Sequence, residues 1–150
     1  MANVIYRGPH NRQPRTVSNK PVAAALLPGT FVVEGTDSLT QATSAKGLIR
    51  LLSHRDFYAS FDAAFNDTSP LKQPYKAGET GVAYILEPTQ QYVAAVAEAT
   101  YSVGQPLTVG AAGRMTAAQA GDLVVAWCME AGARVAGELV DVEVTNFYTL

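Results

Sequence analysis

Apolar and polar positions alternate with a period of two over much of the chain's second half, and the alternation restarts after each of a series of glycine turns. The recurring phrase is a small residue, a glycine, a polar residue and an apolar run. It reads Val103-Gly104-Gln105-Pro106-Leu107-Thr108-Val109, then Ala120-Gly121-Asp122-Leu123-Val124-Val125-Ala126, then Ala136-Gly137-Glu138-Leu139-Val140-Asp141-Val142-Glu143-Val144. Glycine accepts a positive φ without steric cost, and the β-branched run behind it suits a pleated, half-buried surface. Between the first two phrases, Gly110-Ala111-Ala112-Gly113-Arg114-Met115-Thr116 reads as a tight glycine-framed reversal. An earlier copy, Ala77-Gly78-Glu79-Thr80-Gly81, leads into Val82-Ala83-Tyr84-Ile85-Leu86. Strands returning about every 8 to 15 residues predict a mainly β fold, a small antiparallel β-barrel or sandwich.

The first half is less regular. Pro28-Gly29 is a turn signal before a strand at Thr30-Phe31-Val32-Val33, and the Thr-, Ser- and Gly-rich stretch 34–45 reads as loop. Gly47 to Leu52 is too short for periodicity to separate strand from helical turn, and is read as strand. In the irregular stretch from His54 to Tyr75, Phe57, Phe61 and Phe65 recur every four residues, as on a helical turn facing the core or on an aromatic loop lying over a barrel. Glu87-Pro88-Thr89-Gln90 suits a type I turn, making Val82–Leu86 and Tyr92–Ala97 a hairpin; the alternative is a short alanine-rich helix started by Pro88. On a strand, Tyr92, Ala94 and Val96 face one way and Val93, Ala95 and Ala97 the other.

Residues 1–21 form an extended N-terminal arm in this reading, followed by a single β-rich domain over 22–150 that includes the long irregular region. Pro9, Pro14 and Pro21 oppose helix and central strand, and only Val4-Ile5-Tyr6 offers apolar anchorage, along a sheet edge or in a partner's groove. A solvated, frayed terminus is the plain alternative. Such an arm is expected to be removable, residues 1 to 20 together, without unfolding the domain. At the other end, Phe147, Tyr148 and Leu150 either fold back onto the barrel or meet a neighbour.

Charge sharpens this division. The net charge is only −2, yet no acid precedes Glu34, while Arg7, Arg12, Arg15 and Lys20 lie in the arm; from Asp56 onward the only bases are Lys72, Lys76, Arg114 and Arg134. A basic head and an acidic body suit docking on carboxylates, of a partner or of a neighbouring copy, better than binding nucleic acid. One hundred and fifty residues make one domain able to bury its own core. The single cysteine, Cys128, flanked by Trp127 and Met129, reads as a small core hydrophobe, in keeping with folding in a reducing cytosol. No apolar run has the length of a membrane span or the form of a signal peptide, so no membrane is expected.

Catalytic and metal signatures are weak. His10 and His54 lack partners at ligand spacing, Ser53-His54-Arg55-Asp56 holds triad letters without a nucleophile elbow, and Gly110 to Gly113 lacks the lysine of a phosphate loop. Asp62, Asn66 and Asp67 offer oxygens but no EF-hand spacing. Neither an enzyme, a metal nor a cofactor is expected.

The series from Tyr101-Ser102-Val103-Gly104-Gln105-Pro106-Leu107 through Gly113-Arg114-Met115 and Ala120-Gly121-Asp122 to Ala136-Gly137-Glu138-Leu139-Val140-Asp141-Val142-Glu143-Val144 resembles the head decoration, or capsid cement, proteins of tailed bacteriophages. The likeness spans roughly residues 78 to 148. It implies a small β-barrel-like domain, without catalytic residues, on the outer surface of the expanded virion capsid after synthesis in the host cytoplasm. The implied partners are the major capsid protein and further copies of the chain, homotrimers ahead of dimers. On that basis Val4, Ile5, Tyr6, Arg7, Arg12 and Arg15, with Phe147 and Tyr148, are the candidate capsid and subunit interface. A tail or head-tail connector subunit, and more remotely a small oligomeric β-barrel enzyme of the nucleotide-hydrolase kind, are the competing readings.

Overall fold

A computed structural model describes residues 4–55 and 70–150. The expectation of a helical turn bearing Phe57, Phe61 and Phe65, and the oxygens of Asp62, Asn66 and Asp67, lie outside the described residues. The strands are β1 (Thr16–Pro21), β2 (Phe31–Glu34), β3 (Leu39–Gln41), β4 (Ile49–Leu52), β5 (Thr80–Ile85), β6 (Gln91–Ala95), β7 (Ala99–Tyr101), β8 (Pro106–Val109), β9 (Met115–Ala117), β10 (Leu123–Cys128), β11 (Gly132–Arg134) and β12 (Leu139–Thr149). One five-stranded antiparallel sheet runs β1-β5-β4-β2-β3, a second runs β6-β12-β10-β8-β9, and β7 pairs with β11 in a small ribbon. The fold is mainly β, as the alternation predicts. No helix among the described residues is long and apolar enough to cross a membrane.

Period-two alternation builds the core. From the first sheet Phe31, Ile49, Leu51 and Tyr84 point inward, to meet Tyr92, Ala94, Leu107, Val109, Val125, Val140, Val142 and Val144 of the second. The intervening residues Val32, Leu52 and Ala83 turn to the opposite face of the first sheet, where Val22, Leu26 and Tyr75 cover them. Cys128 lies in the main core, its thiol donating to the Glu130 carbonyl at 3.0 Å. The turn glycines behave as their phrases predict: Gly78, Gly104, Gly121 and Gly137 all have φ between 82° and 94°. Gly113, in the reversal between β8 and β9, is fixed by space as well. A Cβ there would lie 2.5 Å from the Phe31 carbonyl oxygen, so this turn packs directly onto β2.

Three expectations change. β5 and β6 are not a hairpin: they lie in different sheets, and the Glu87–Gln90 turn carries the chain across the sandwich. The reason is that both strands present a tyrosine to the interior, and Tyr84 and Tyr92 meet across it with ring centroids 5.6 Å apart. The stretch read as loop after Val33 contains β3, because a Gly35-to-Ser38 turn returns the chain and Leu39 is fully buried.

The third change concerns residues 4–21, which are built into the domain rather than projecting from it. Ile5 is 0% and Tyr6 5% exposed, and residues 5–7 extend the second sheet by pairing with β6, through Val93 N–H to the Ile5 carbonyl and Arg7 N–H to the Gln91 carbonyl. β1 pairs with β5 in register from Thr16↔Tyr84 to Pro21↔Thr80, with a bulge between Val17 and Lys20. Prolines cap and interrupt the segment, but an edge strand tolerates them.

Lys20 also anchors this segment electrostatically. Its ammonium donates to Glu34 Oε2 at 2.9 Å, while Arg50 Nε on β4 donates to Oε1 at 3.0 Å. The Lys20 hydrogen bond, opposed by partial burial and reinforced by Arg50, holds the Glu34 carboxyl below the usual carboxylate range. A lowered folded-state pKa means that this contribution to stability is present above the unfolded value of about 4.3 and is lost as pH falls through the folded value. Urea denaturation between pH 7 and pH 3 is expected to show that loss, and Glu34→Gln to flatten this part of the profile.

Candidate binding surface

The outer face of the second sheet carries Trp127 and Tyr148 beside Asp141 and Glu143. Alternation sends Val140, Val142 and Val144 of β12 into the core and turns Asp141 and Glu143 outward. Strand register then sets Gln91, Glu143, Trp127 and Pro106 side by side across β6, β12, β10 and β8. Arg7 Nε reaches Asp141 Oδ1 at 3.0 Å, tying the N-terminal segment to this face.

The end of β12 is reshaped by a bulge where its pairing with β10 shifts between Val124 and Ala126. Thr145 makes the bulge. Its buried hydroxyl donates to the Val124 carbonyl at 2.8 Å and accepts the Phe147 N–H at 3.1 Å. Phe147 takes φ of 50°, a left-handed conformation that costs a non-glycine residue about 1–2 kcal/mol. The bulge re-aims Tyr148 onto Trp127, with ring centroids 5.7 Å apart and planes tilted by 40°. Thr145→Val keeps the shape but removes one donor and one acceptor. It is expected to cost about 1–3 kcal/mol in chemical denaturation and to shift Trp127 emission as Tyr148 is released.

The sequence-predicted interface residues divide sharply. Ile5 and Tyr6 are spent in the core, where Tyr6 packs against Tyr84 and Tyr92 and its hydroxyl donates to the Arg12 carbonyl at 2.9 Å. Arg7 is paired with Asp141. Arg15, with a side chain 78% exposed, approaches Glu87 at 3.6 Å, and Arg12 is exposed. Val4, Phe147 and Tyr148 are 37–39% exposed. At the chain end the backbone folds back onto the domain, through Leu150 N–H to Asp122 and Gly121 N–H to Leu150, while the side chains of Phe147, Tyr148 and Leu150 remain exposed.

Sequence reading passed over Trp127, Glu143, Thr89 and Asn146, which line a groove of about 220 Å³ with Pro88 and Tyr148. Trp127 faces out between the core residues Ala126 and Cys128, but Val125 is in the core as well, because the bulge between Val124 and Ala126 breaks the alternation that would have signalled it. A larger groove of about 570 Å³ lies between the 25–30 loop and the end of the second sheet, with Leu26, Leu27, Ala95 and Leu139 on its walls and Arg114 and Glu138 at its rim. His10 lies in an exposed 3-10 turn and His54 is half-buried beside Ser53, 3.4 Å from its hydroxyl. Among the described residues no three of His, Cys, Asp or Glu converge as metal ligands.

No protein-family model matches the chain, and no curated protein matches it. Among solved structures, the chain is similar in fold to the N base of the head fiber gp8.5 of bacteriophage phi29. The match has a TM-score of 0.53 at 14% identity and covers 87% of this chain and 95% of that one.

Proposed function

We propose that the chain is a structural protein of a tailed-phage virion, binding the outside of the expanded capsid and bridging major capsid subunits as a homo-oligomer. The observation that carries this reading is the fold likeness to a phage head fiber base over nearly the whole of both chains. It coincides with the resemblance of the glycine-turn phrases to head decoration proteins. The outer face of the second sheet, with Phe147 and Tyr148 at the end of β12, together with the exposed Arg12 and Arg15, is the docking surface in this reading. It acts by binding rather than catalysis: each copy stabilises the expanded shell because it binds that state more tightly than the precursor. Modest contacts repeated over many copies supply the avidity.

Co-sedimentation with expanded heads lacking the protein, beside unexpanded procapsids, tests this. Saturable binding to expanded heads alone is the expected result. Binding to neither, with ring-shaped particles in solution, would favour a tail or connector subunit instead.

A further inference from the structure

The groove beside Trp127 lies on the face proposed for capsid docking, and it has the features of a built ligand site in its own right. Thr89, with φ of 70°, lines it, and Phe147, with φ of 50°, sits in the bulge that forms its wall. These are two of the three non-glycine residues with positive φ among the described residues. Strain of this kind persists where surrounding structure enforces it, and it concentrates at ligand sites. Here it is enforced from both sides. The Thr89 N–H is held by the Val144 carbonyl at 2.9 Å, and the Phe147 N–H by Thr145. The two strained turns frame a platform made by the half-exposed Trp127 ring and Tyr148.

The polar groups around the platform define what fits. The Trp127 indole N–H, the Thr89 and Tyr148 hydroxyls and the Asn146 amide have no hydrogen-bond partner among the described residues. Glu143 makes only a long contact, at 3.5 Å, with the Gln91 amide. This set mixes donors and acceptors around an apolar aromatic face. A guanidinium or ammonium group suits the Trp127 face and the Glu143 carboxylate but, having no acceptor, leaves the indole and amide N–H groups to solvent. A phosphate or other anion would meet the Glu143 carboxylate, with no cation in the lining to offset it. A ring with one apolar C–H face and hydroxyls at its edge satisfies both the platform and the rim, and about 220 Å³ accommodates a single such ring. We propose that this groove binds one pyranose unit of a neutral saccharide, stacked on Trp127 and hydrogen-bonded through its hydroxyls to Glu143, Asn146 and Thr89.

Trp127 is the only tryptophan in the chain, so tryptophan-selective emission reports this site apart from the seven tyrosines. The experiment titrates the folded protein with maltotriose, cellotriose and chitotriose, and with choline chloride and inorganic phosphate as controls. A saturable change in emission with at least one trisaccharide, and none with choline or phosphate, is expected. Asn146→Ala and Glu143→Ala, each with an unchanged circular dichroism spectrum, should weaken that binding by about tenfold. Three outcomes would each overturn the proposal. They are no saturable response to any of the three sugars, an equal response to choline, and an emission change that follows protein concentration without sugar, which would mean that a second copy closes the groove. Head binding is scored separately by co-sedimentation, so failure of one reading leaves the other standing.

Discussion

Deletion of residues 1–20 is expected to unfold the protein. The segment carries Ile5 and Tyr6, both buried in the main core, Val17 on β1, the pairing of β1 with β5, and the Arg7–Asp141 and Lys20–Glu34 ion pairs. Losing the two large core side chains alone costs about 4–10 kcal/mol, since each large-to-small core truncation costs about 2–5 kcal/mol. That is comparable with the whole stability of a domain this size. The deletion also uncovers the edges of both β5 and β6, creating unpaired strand edges that favour aggregation. Circular dichroism and size-exclusion chromatography of the truncated chain are the measurements. A monomeric, folded product with a near-native melting temperature would show that the segment is peripheral after all.

Tyr92→Ala is expected to be the most damaging single substitution of the set, at about 3–5 kcal/mol by denaturant titration. Tyr92 is completely buried and its ring contacts both Tyr6 and Tyr84, at 5.8 and 5.6 Å between centroids. It thereby joins three parts of the molecule: the N-terminal segment, the first sheet and the second. Burial pushes its hydroxyl well above the ordinary tyrosine range, so the ring stays neutral at all working pH values. The hydroxyl itself contributes little, because its bond to the Ile85 carbonyl is long, at 3.4 Å. Tyr92→Phe should therefore lose less than about 1.5 kcal/mol, and the contrast between the two variants separates ring packing from hydrogen bonding.

The β class and the second half of the chain were legible because glycine turns and period-two alternation are local properties. Val140, Val142 and Val144 inward against Asp141 and Glu143 outward can be read directly from residue types. The first half was harder for a physical reason. Residues 4–21 look polar and proline-rich because an edge segment needs only a few anchors, and Ile5, Tyr6 and Val17 suffice. Their partners, Val93, Tyr92 and Ala83, lie far along the chain and cannot be inferred from spacing. The false hairpin between β5 and β6 has the same origin, since a tight turn looks alike whether it joins neighbours in one sheet or crosses between two. At the surface, Arg12, Arg15, Phe147 and Tyr148 are exposed, the two aromatics against the expectation that they fold back. The groove depends on the Thr145 bulge and on Thr89, whose unusual backbone angles leave no mark on residue type.

The pairing of residues 5–7 with β6 also sets the order in which the molecule comes into being. A segment at the start of the chain has no seat until β6 has formed and reached it, and β1 likewise waits for β5. Closing such long loops consumes entropy before any contact repays it, so folding is expected in the millisecond-to-second range of sandwich topologies. Arg7 and Asp141, 134 residues apart along the chain, become neighbours only once that closure is made. The face they share is therefore built from both ends of the chain and exists only where the two ends meet.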